Sequence, residues 1–308
     1  MVRALELFCG IGGFAAAVRD GNVRLVAAFD QNQEALDVYR HNCPHHEARR
    51  VDLERVSAWE LTTCAADLWW LSPPCQPYCE RGRQRDLDDP RARSLLHLLE
   101  IIERLPENRL PHCLALENVA GFKTSGARKR LLEALTTRGY HLQEILLCPT
   151  QLGVPSRRPR YYLAASRGAM NPVRAPMGLK PYPLPGYLDF SPTEEYPECL
   201  LVSEEILTRF GKGLRILDPD DPLAYTTCFT SGYGRSIINA GSYLQCRGSV
   251  RRFSPEEIAR LLHFPAGFGF PEGMALRKKW HLVGNSLSII AVQTMLTAFP
   301  DILPGQRQ

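Results

Sequence analysis

Short apolar runs alternate with amphipathic stretches through the first half of the chain. Residues 5–8, 25–29, 68–71 and 113–116 are largely apolar runs of strand length, as expected of strands buried on both faces. Between them, residues 33–42, 94–105 and 128–138 repeat their apolar positions at helical spacing. This alternation predicts an α/β fold, a parallel sheet with helices on both faces. Residues 141–148 and 160–165 add two more strands.

The pattern changes after Ser166. Pro172, Pro176, Pro181, Pro183, Pro185 and Pro192 punctuate the next stretch, and prolines at that density exclude long helices and interior strands. Residues 167–198 therefore read as an extended excursion into a small second domain. Helical spacing returns over 202–210 and again over 254–262. There Ser254-Pro255-Glu256-Glu257 supplies an N-cap, a proline at the first helical position and a capping-box glutamate. A last helix is predicted over 288–299. The predicted organisation is a large domain, 1–166, a small domain, 167–250, and a C-terminal segment, 251–308, that returns to the large domain.

Composition narrows the class. The chain is 44% hydrophobic and 23% charged, ordinary for a soluble globular protein. No run approaches the ~20 apolar residues of a membrane span, so no membrane partner is expected. Leu5-Glu6-Leu7-Phe8 follows the start without a basic leader or cleavage site, which reads as no signal peptide. In an intracellular enzyme the ten cysteines are expected as thiols. No CxxC pair recurs at zinc spacing, so no metal is expected. The net charge of +4 does not by itself indicate nucleic acid. Basic residues do cluster: Arg81, Arg83, Arg85, Arg91 and Arg93 (diluted by Asp86, Asp88 and Asp89), then residues 123–130, 157–160, 247–252 and 277–279. Such clusters contact phosphates where a fold gathers them; scattered solvated charge is the alternative.

Four segments carry chemistry. Phe8-Cys9-Gly10-Ile11-Gly12-Gly13 follows the first strand and opens a helix, where glycines permit a tight turn and close ligand approach. Asp30 closes the second strand, 18 residues beyond Gly12, where an acid can bind both hydroxyls of a ribose. Strand context and acid together favour nucleotide-type binding over an ordinary turn, and GxGG spacing disfavours NAD. Asp52 follows a third short strand and can reach an adenine amino group. Pro73-Pro74-Cys75-Gln76-Pro77 follows the strand at 68–71, at the sheet edge where active sites gather. Its prolines stiffen the backbone, and a thiol on a rigid turn suits nucleophilic attack; an inert loop cysteine is the alternative. Glu117 ends the next strand at the same edge, where a carboxyl near a thiolate can stay protonated or bind a protonated base; a helix-capping or solvated glutamate is the alternative. Arg158 and Arg160 flank Pro159, and alternation along an extended segment puts both on one face; a surface basic pair is the alternative.

In this order the four segments resemble the carbon-5 cytosine methyltransferase superfamily. Val154-Pro155-Ser156-Arg157-Arg158-Pro159-Arg160 is similar to that family's VPQxRxR strand, with Ser156 replacing glutamine. Arg252-Phe253-Ser254-Pro255-Glu256-Glu257 with Leu261-Leu262-His263-Phe264-Pro265 resembles its RxLTxRE…GFP segment, and Gly284-Asn285-Ser286 its GNS motif. Cys228-Phe229-Thr230-Ser231-Gly232-Tyr233 matches the CFTxxY segment of one branch, the tRNA-aspartate (cytosine-38) methyltransferases. The likeness covers nearly the whole chain. Departures are Tyr78-Cys79-Glu80, where the branch usually has Phe-Thr-Arg, and Phe8, often tyrosine there.

The resemblance implies a Rossmann-like methyltransferase domain with a small target-recognition domain. It implies methyl transfer from S-adenosyl-L-methionine, leaving S-adenosyl-L-homocysteine, to carbon-5 of cytosine 38 in a tRNA anticodon loop. Cys75 becomes the nucleophile toward carbon-6. Glu117 is expected on the ring nitrogen-3 and exocyclic amine, with Arg158 and Arg160 on the base oxygen. Phe8, Gly10, Ile11, Gly12, Gly13, Asp30, Asp52, Leu53, Ser72, Asn285 and Ser286 are expected at the cofactor, and Cys228, Phe229, Thr230 and Tyr233 at the substrate. A monomer in the cytoplasm is expected. The competing reading is a DNA cytosine methyltransferase of restriction-modification type, which shares the catalytic motifs. Residues 166–250 hold eight Lys plus Arg against nine Asp plus Glu. A domain without net positive charge is poorly suited to reading a DNA groove alone, whereas the partly unstacked bases of an RNA loop are open to recognition by shape.

Overall fold

The computed structural model describes residues 1–79, 85–176, 179–189, 196–246, 248–300 and 302. Seven strands, β1 (Val2–Leu7), β2 (Val23–Asp30), β3 (Ala48–Arg50), β4 (Leu68–Leu71), β5 (Cys113–Val119), β6 (His141–Leu147) and β7 (Arg160–Ser166), form one sheet. Its order is β3-β2-β1-β4-β5-β7-β6. Helices α1 (Gly13–Val18), α2 (Gln33–Asn42), α3 (Ala58–Thr63), α4 (Arg93–Arg104) and α5 (Gly126–Thr137) connect the strands. The pleat assigns alternate residues to two layers. Leu5, Leu7, Ala27 and Phe29 join Leu95 and Leu98 of α4 and Leu131 of α5 in one core. Ala28, on the opposite pleat, joins Ala15 of α1 and Leu36 and Tyr39 of α2. Both faces are thus covered, which is why the strands read as apolar runs and not as alternating patterns.

The sheet is mixed, which corrects the expected all-parallel arrangement. β7 runs antiparallel to both β5 and β6. A parallel neighbour requires a long crossover, usually a helix, and no α-helix separates β6 from β7. The predicted elements otherwise recur with ends shifted by one to three residues; α2 and β4 keep their limits. The short α3 lies outside the pattern that periodicity detected.

The chain forms two compact units, Met1–Leu147 with Pro159–Ala175 and Ala291–Gln308, and Cys148–Arg158 with Pro176–Ile290. This division differs from sequence boundaries at 166 and 250. The link after β6 belongs to the second unit because Ser156 bridges Thr226 there. The second unit carries α6 (Glu204–Phe210), α7 (Pro255–Leu261), α8 (Leu276–Gly284) and a three-stranded sheet of β8 (Ile216–Leu217), β9 (Tyr243–Cys246) and β10 (Ser249–Arg252). The expected capping box opens α7: Ser254 accepts from Glu257 N, and the Glu257 carboxylate accepts from Ser254 N. Phe229, Tyr233, Tyr243, Phe253 and Trp280 make its aromatic core. Helix α9 (Ile289–Leu296) leads back into the first unit.

Candidate active site

The carboxyl ends of β1 and β2 build the first half of the site. Phe8, Gly10 and Gly12 all take left-handed backbone, with φ of 58°, 53° and 88°. Gly12 is held to glycine twice over, since a Cβ there would lie 3.0 Å from the Tyr39 ring. Asp30, the last residue of β2, accepts from Gly10 N and Asn32 N at 2.8 Å each. Burial raises its carboxyl above the usual range, opposed by those N–H donors and by Gln31 N. An ionised carboxylate has about four acceptor positions, so the unused ones remain for ribose hydroxyls. A Cβ on Gly10 would meet nothing within 4 Å, so there is open space over the turn. Acid, turn and space fit a nucleoside-bearing sulfonium cofactor. Ile11 and Gly13 are buried, as is Leu53. Asp52 is exposed, accepting from Glu54 N.

Sequence patterning passed over Glu6, which lies inside the apolar run of β1. Its side chain is 1% exposed and accepts from Phe14 N at 3.2 Å and Tyr39 OH at 3.3 Å. Tyr39 in turn contacts His46 Nδ1 at 3.2 Å. Burial pushes the Glu6 carboxyl up to about 8, against the pull of its hydrogen bonds. An acid in the middle of a buried strand was the available signal.

The second half lies at the ends of β4, β5 and β7. Leu71 of β4 pairs with Leu116 of β5, and β4 leads directly into Ser72-Pro73-Pro74-Cys75. Trp70 Nε1 donates to Ser72 Oγ at 2.8 Å, and Asn118 Nδ2 donates to the Pro73 carbonyl at 3.1 Å. The prolyl turn is therefore tied to the tip of β5, one residue past Glu117. Cys75 is half-buried and begins a 3-10 turn, Gln76–Tyr78. The Cys79 thiol turns back to donate to the Cys75 carbonyl at 3.3 Å. Glu117 is 9% exposed and pairs with Arg160 Nε at 3.2 Å. Register explains the pair: Val119 lies opposite Arg160 where β5 meets β7, and Glu117 is two residues along on the same face.

The turns after the nucleophile give contacts to residues that sequence showed only as a mixed basic and acidic cluster. The turn Pro90–Ala92 packs on Gln76–Tyr78. Arg91 in it chelates Asp89 with bonds of 2.8 and 2.7 Å, and this pair holds the Asp89 carboxyl at about 2. Both thiols, Cys75 and Cys79, lie within electrostatic reach of Arg91. Asp86 accepts from Gly126 N and Ala127 N, capping α5. Glu80, Arg81, Arg83, Pro192 and Arg247 lie outside the described residues.

Arg158 differs from expectation. It precedes β7 across Pro159 and is 4% exposed within the second unit. Nη1 donates to Cys228 Sγ at 3.1 Å and the Phe229 carbonyl at 2.9 Å. Nη2 donates to the carbonyls of Gly284, at 3.2 Å, and Ser286. β7 begins at Arg160, so Arg158 lies outside the strand whose alternation the shared face required, and Arg160 pairs with Glu117. Phe229 and Tyr233 likewise sit in the aromatic core and not on a contact surface; Tyr233 OH donates to the Ser242 carbonyl at 2.7 Å and accepts from Phe253 N. Cys228, Thr230 and Ser286 are half-buried and Asn285 is exposed.

Comparison with known proteins bears on this arrangement. Residues 2–198 match the family described as C-5 cytosine-specific DNA methylase. The chain is 31% identical to a tRNA (cytosine(38)-C(5))-methyltransferase of Bos taurus, covering 97% of this chain and 99% of the relative. The crystal structure of the S. pombe Dnmt2 methyltransferase superposes with a TM-score of 0.85 at 28% identity, over 97% of this chain and 99% of that one. A methyltransferase of Entamoeba histolytica gives 0.87 at 26% identity, over 99% of both chains.

Proposed function

The chain belongs to the C-5 cytosine methyltransferases, in the branch of the tRNA (cytosine-38) enzymes, and from this premise we propose that it methylates carbon-5 of cytosine 38 in a tRNA anticodon loop through a covalent adduct on Cys75. The observation that carries the reading is the Glu117–Arg160 pair at the tips of β5 and β7, tied through Asn118 to the prolyl turn that presents Cys75.

Cytosine carbon-5 is a weak nucleophile. Addition of the Cys75 thiolate at carbon-6 makes the ring an enamine and puts electron density on carbon-5, splitting one hard step into easier ones. Glu117 hydrogen-bonds nitrogen-3 and the exocyclic amine, stabilising the protonated adduct. Arg160 orients Glu117 and faces the base oxygen. Arg91 lies within electrostatic reach of both thiols and shares its charge with Asp89. S-adenosyl-L-methionine, used throughout this family, supplies an electrophilic methyl group when bound. Phe8, Gly10 to Gly13, Asp30, Asp52, Leu53 and Ser72 would hold it. Loss of the carbon-5 proton and expulsion of Cys75 release the methylated base. A loop base needs less unstacking than a duplex base, which agrees with an RNA substrate; cytoplasm is the proposed setting.

The deciding experiment incubates the protein with labelled cofactor and equal concentrations of tRNA and duplex DNA, then maps the methylated base. Label at cytosine 38 of tRNA is expected. Faster transfer to duplex DNA, or label outside the anticodon arm, overturns the choice of substrate.

A further inference from the structure

We propose that Cys79 is the resolving thiol of Cys75: hydrogen peroxide joins the two in a disulfide that stops methyl transfer, and a small thiol reopens it. The loss of methyl transfer rests on the role given to Cys75 above; the disulfide itself does not. All the contacts involved lie within the first unit.

The proposed reaction uses Cys75 and gives Cys79 no part, although Cys79 is one of the chain's departures from its branch. Three observations place its sulfur beside Cys75. First, the Cys75 carbonyl accepts from Tyr78 N at 3.0 Å and from the Cys79 thiol at 3.3 Å. The Gln76–Tyr78 turn thus folds the second sulfur back onto the backbone of the first cysteine. Counted through the carbonyl and Cα–C bonds, that sulfur lies no more than about 6 Å from Cys75 Cα. Second, one guanidinium, that of Arg91, is within electrostatic reach of both thiols. Third, both cysteines are half-buried and neither is in a disulfide, so a small peroxide has access to them. Closing the bond requires the Cys79 sulfur to leave the carbonyl for the Cys75 sulfur. Cys79 stands past the last residue of the turn, with extended backbone at φ −65° and ψ 126°. The Tyr78 bond that closes the turn therefore does not depend on it.

The chemistry balances. The Cys75 sulfur attacks the peroxide; an S–O bond forms, the O–O bond breaks, and the departing hydroxide takes the thiol proton as water. Cys75 is then a sulfenic acid. The Cys79 sulfur attacks it; an S–S bond forms, the S–O bond breaks, and the hydroxide takes the Cys79 proton as a second water. Two thiols are oxidised and one peroxide is reduced. A small thiol restores both by exchange, and exposed disulfides are the labile ones. Without a resolving thiol the sulfenic acid goes on to sulfinic acid, which small thiols do not reduce. If Cys79 served only to close the turn, a serine donating to the same carbonyl would replace it with no change under peroxide.

The test is a mass map of the full chain after hydrogen peroxide, with remaining thiols blocked by iodoacetamide and no reductant added. The peptide holding both cysteines should be two hydrogens lighter than its untreated form and unblocked at both sulfurs. Methylation of tRNA should be lost with it and return in dithiothreitol. Cys79→Ser keeps a donor for the Cys75 carbonyl and should methylate as the wild type does before treatment. After peroxide its Cys75 should carry two or three oxygens, and dithiothreitol should not restore it. Wild-type Cys75 that takes the blocking reagent, gains two oxygens or joins another cysteine overturns this inference. So does full recovery of peroxide-treated Cys79→Ser in dithiothreitol. A reduced wild type that methylates nothing overturns the functional reading and the claimed inactivation, while the mapped bond still decides the pairing of the two thiols.

Discussion

Arg158 and Arg160 stand two residues apart and are used in opposite ways. Arg160 pairs with one carboxylate, Glu117, at an edge that opens the first unit's strand ends. Arg158 is buried in the second unit among a thiol and three carbonyls. A carboxylate has acceptor positions beyond those that one guanidinium occupies, so Glu117 can bond a base while keeping its partner. Neutral acceptors enclosing a cation offer no such place: removing the cation leaves buried carbonyls without donors. The first arrangement suits chemistry and the second suits fixing a backbone.

Replacement of each arginine should separate these roles. Arg160→Met is expected to lower turnover by about 10²–10³, while costing about 1–2 kcal/mol of stability. Arg158→Met should cost about 3 kcal/mol or more, since several buried acceptors lose a charged donor. Urea denaturation and single-turnover rates on the same two variants read both quantities. Equal stability losses would abolish the distinction.

The strand ends divide further between cofactor and base. Asp30→Ala should weaken S-adenosyl-L-homocysteine binding by roughly 1.5–3 kcal/mol, the scale of a charge-assisted hydrogen bond. Isothermal titration measures it, and unchanged affinity moves the ribose contact elsewhere.

A pH effect contrasts Glu6, enclosed beneath the glycine turn, with Glu117 at the open edge. The Glu6 carboxyl titrates near 8 in the folded chain against 4.5 when unperturbed. Between those values the unfolded chain releases this proton and the folded chain retains it. Its contribution to stability is present below about pH 4.5 and is lost as pH rises toward 8, at no more than ~1.4 kcal/mol per pH unit. Glu6→Gln keeps the neutral shape and should flatten the decline in Tm between pH 5 and 8. Parallel Tm profiles for the two proteins would remove Glu6 from this role.

The sequence was informative where one residue's neighbours are its own strand or turn. Buried parallel strands read as apolar runs, the capping box of α7 was visible in four residues, and the glycine turn with Asp30 followed from strand spacing. It was least informative where the partner is distant. The antiparallel β7 depends on a missing crossover, and the strand that begins at Arg160 leaves Arg158 outside its alternation. Phe229 and Tyr233 carry a motif's identity yet spend their rings on an aromatic core. Glu6 and Asp86 owe their roles to contacts that no local pattern records.

The account's central claim is that Cys75 attacks the base while the Glu117–Arg160 pair holds it. A tRNA bearing fluorine at carbon-5 of cytosine 38 tests this most directly, because it lacks the proton whose loss frees the thiol. After methyl transfer the base should remain bonded to the protein, giving a stable protein–RNA complex whose mapped peptide contains Cys75. Cys75→Ala should form none and still bind S-adenosyl-L-homocysteine, and Cys79→Ala should form it at a substantial rate. Trapping that persists in Cys75→Ala, or a bonded peptide without Cys75, contradicts the account.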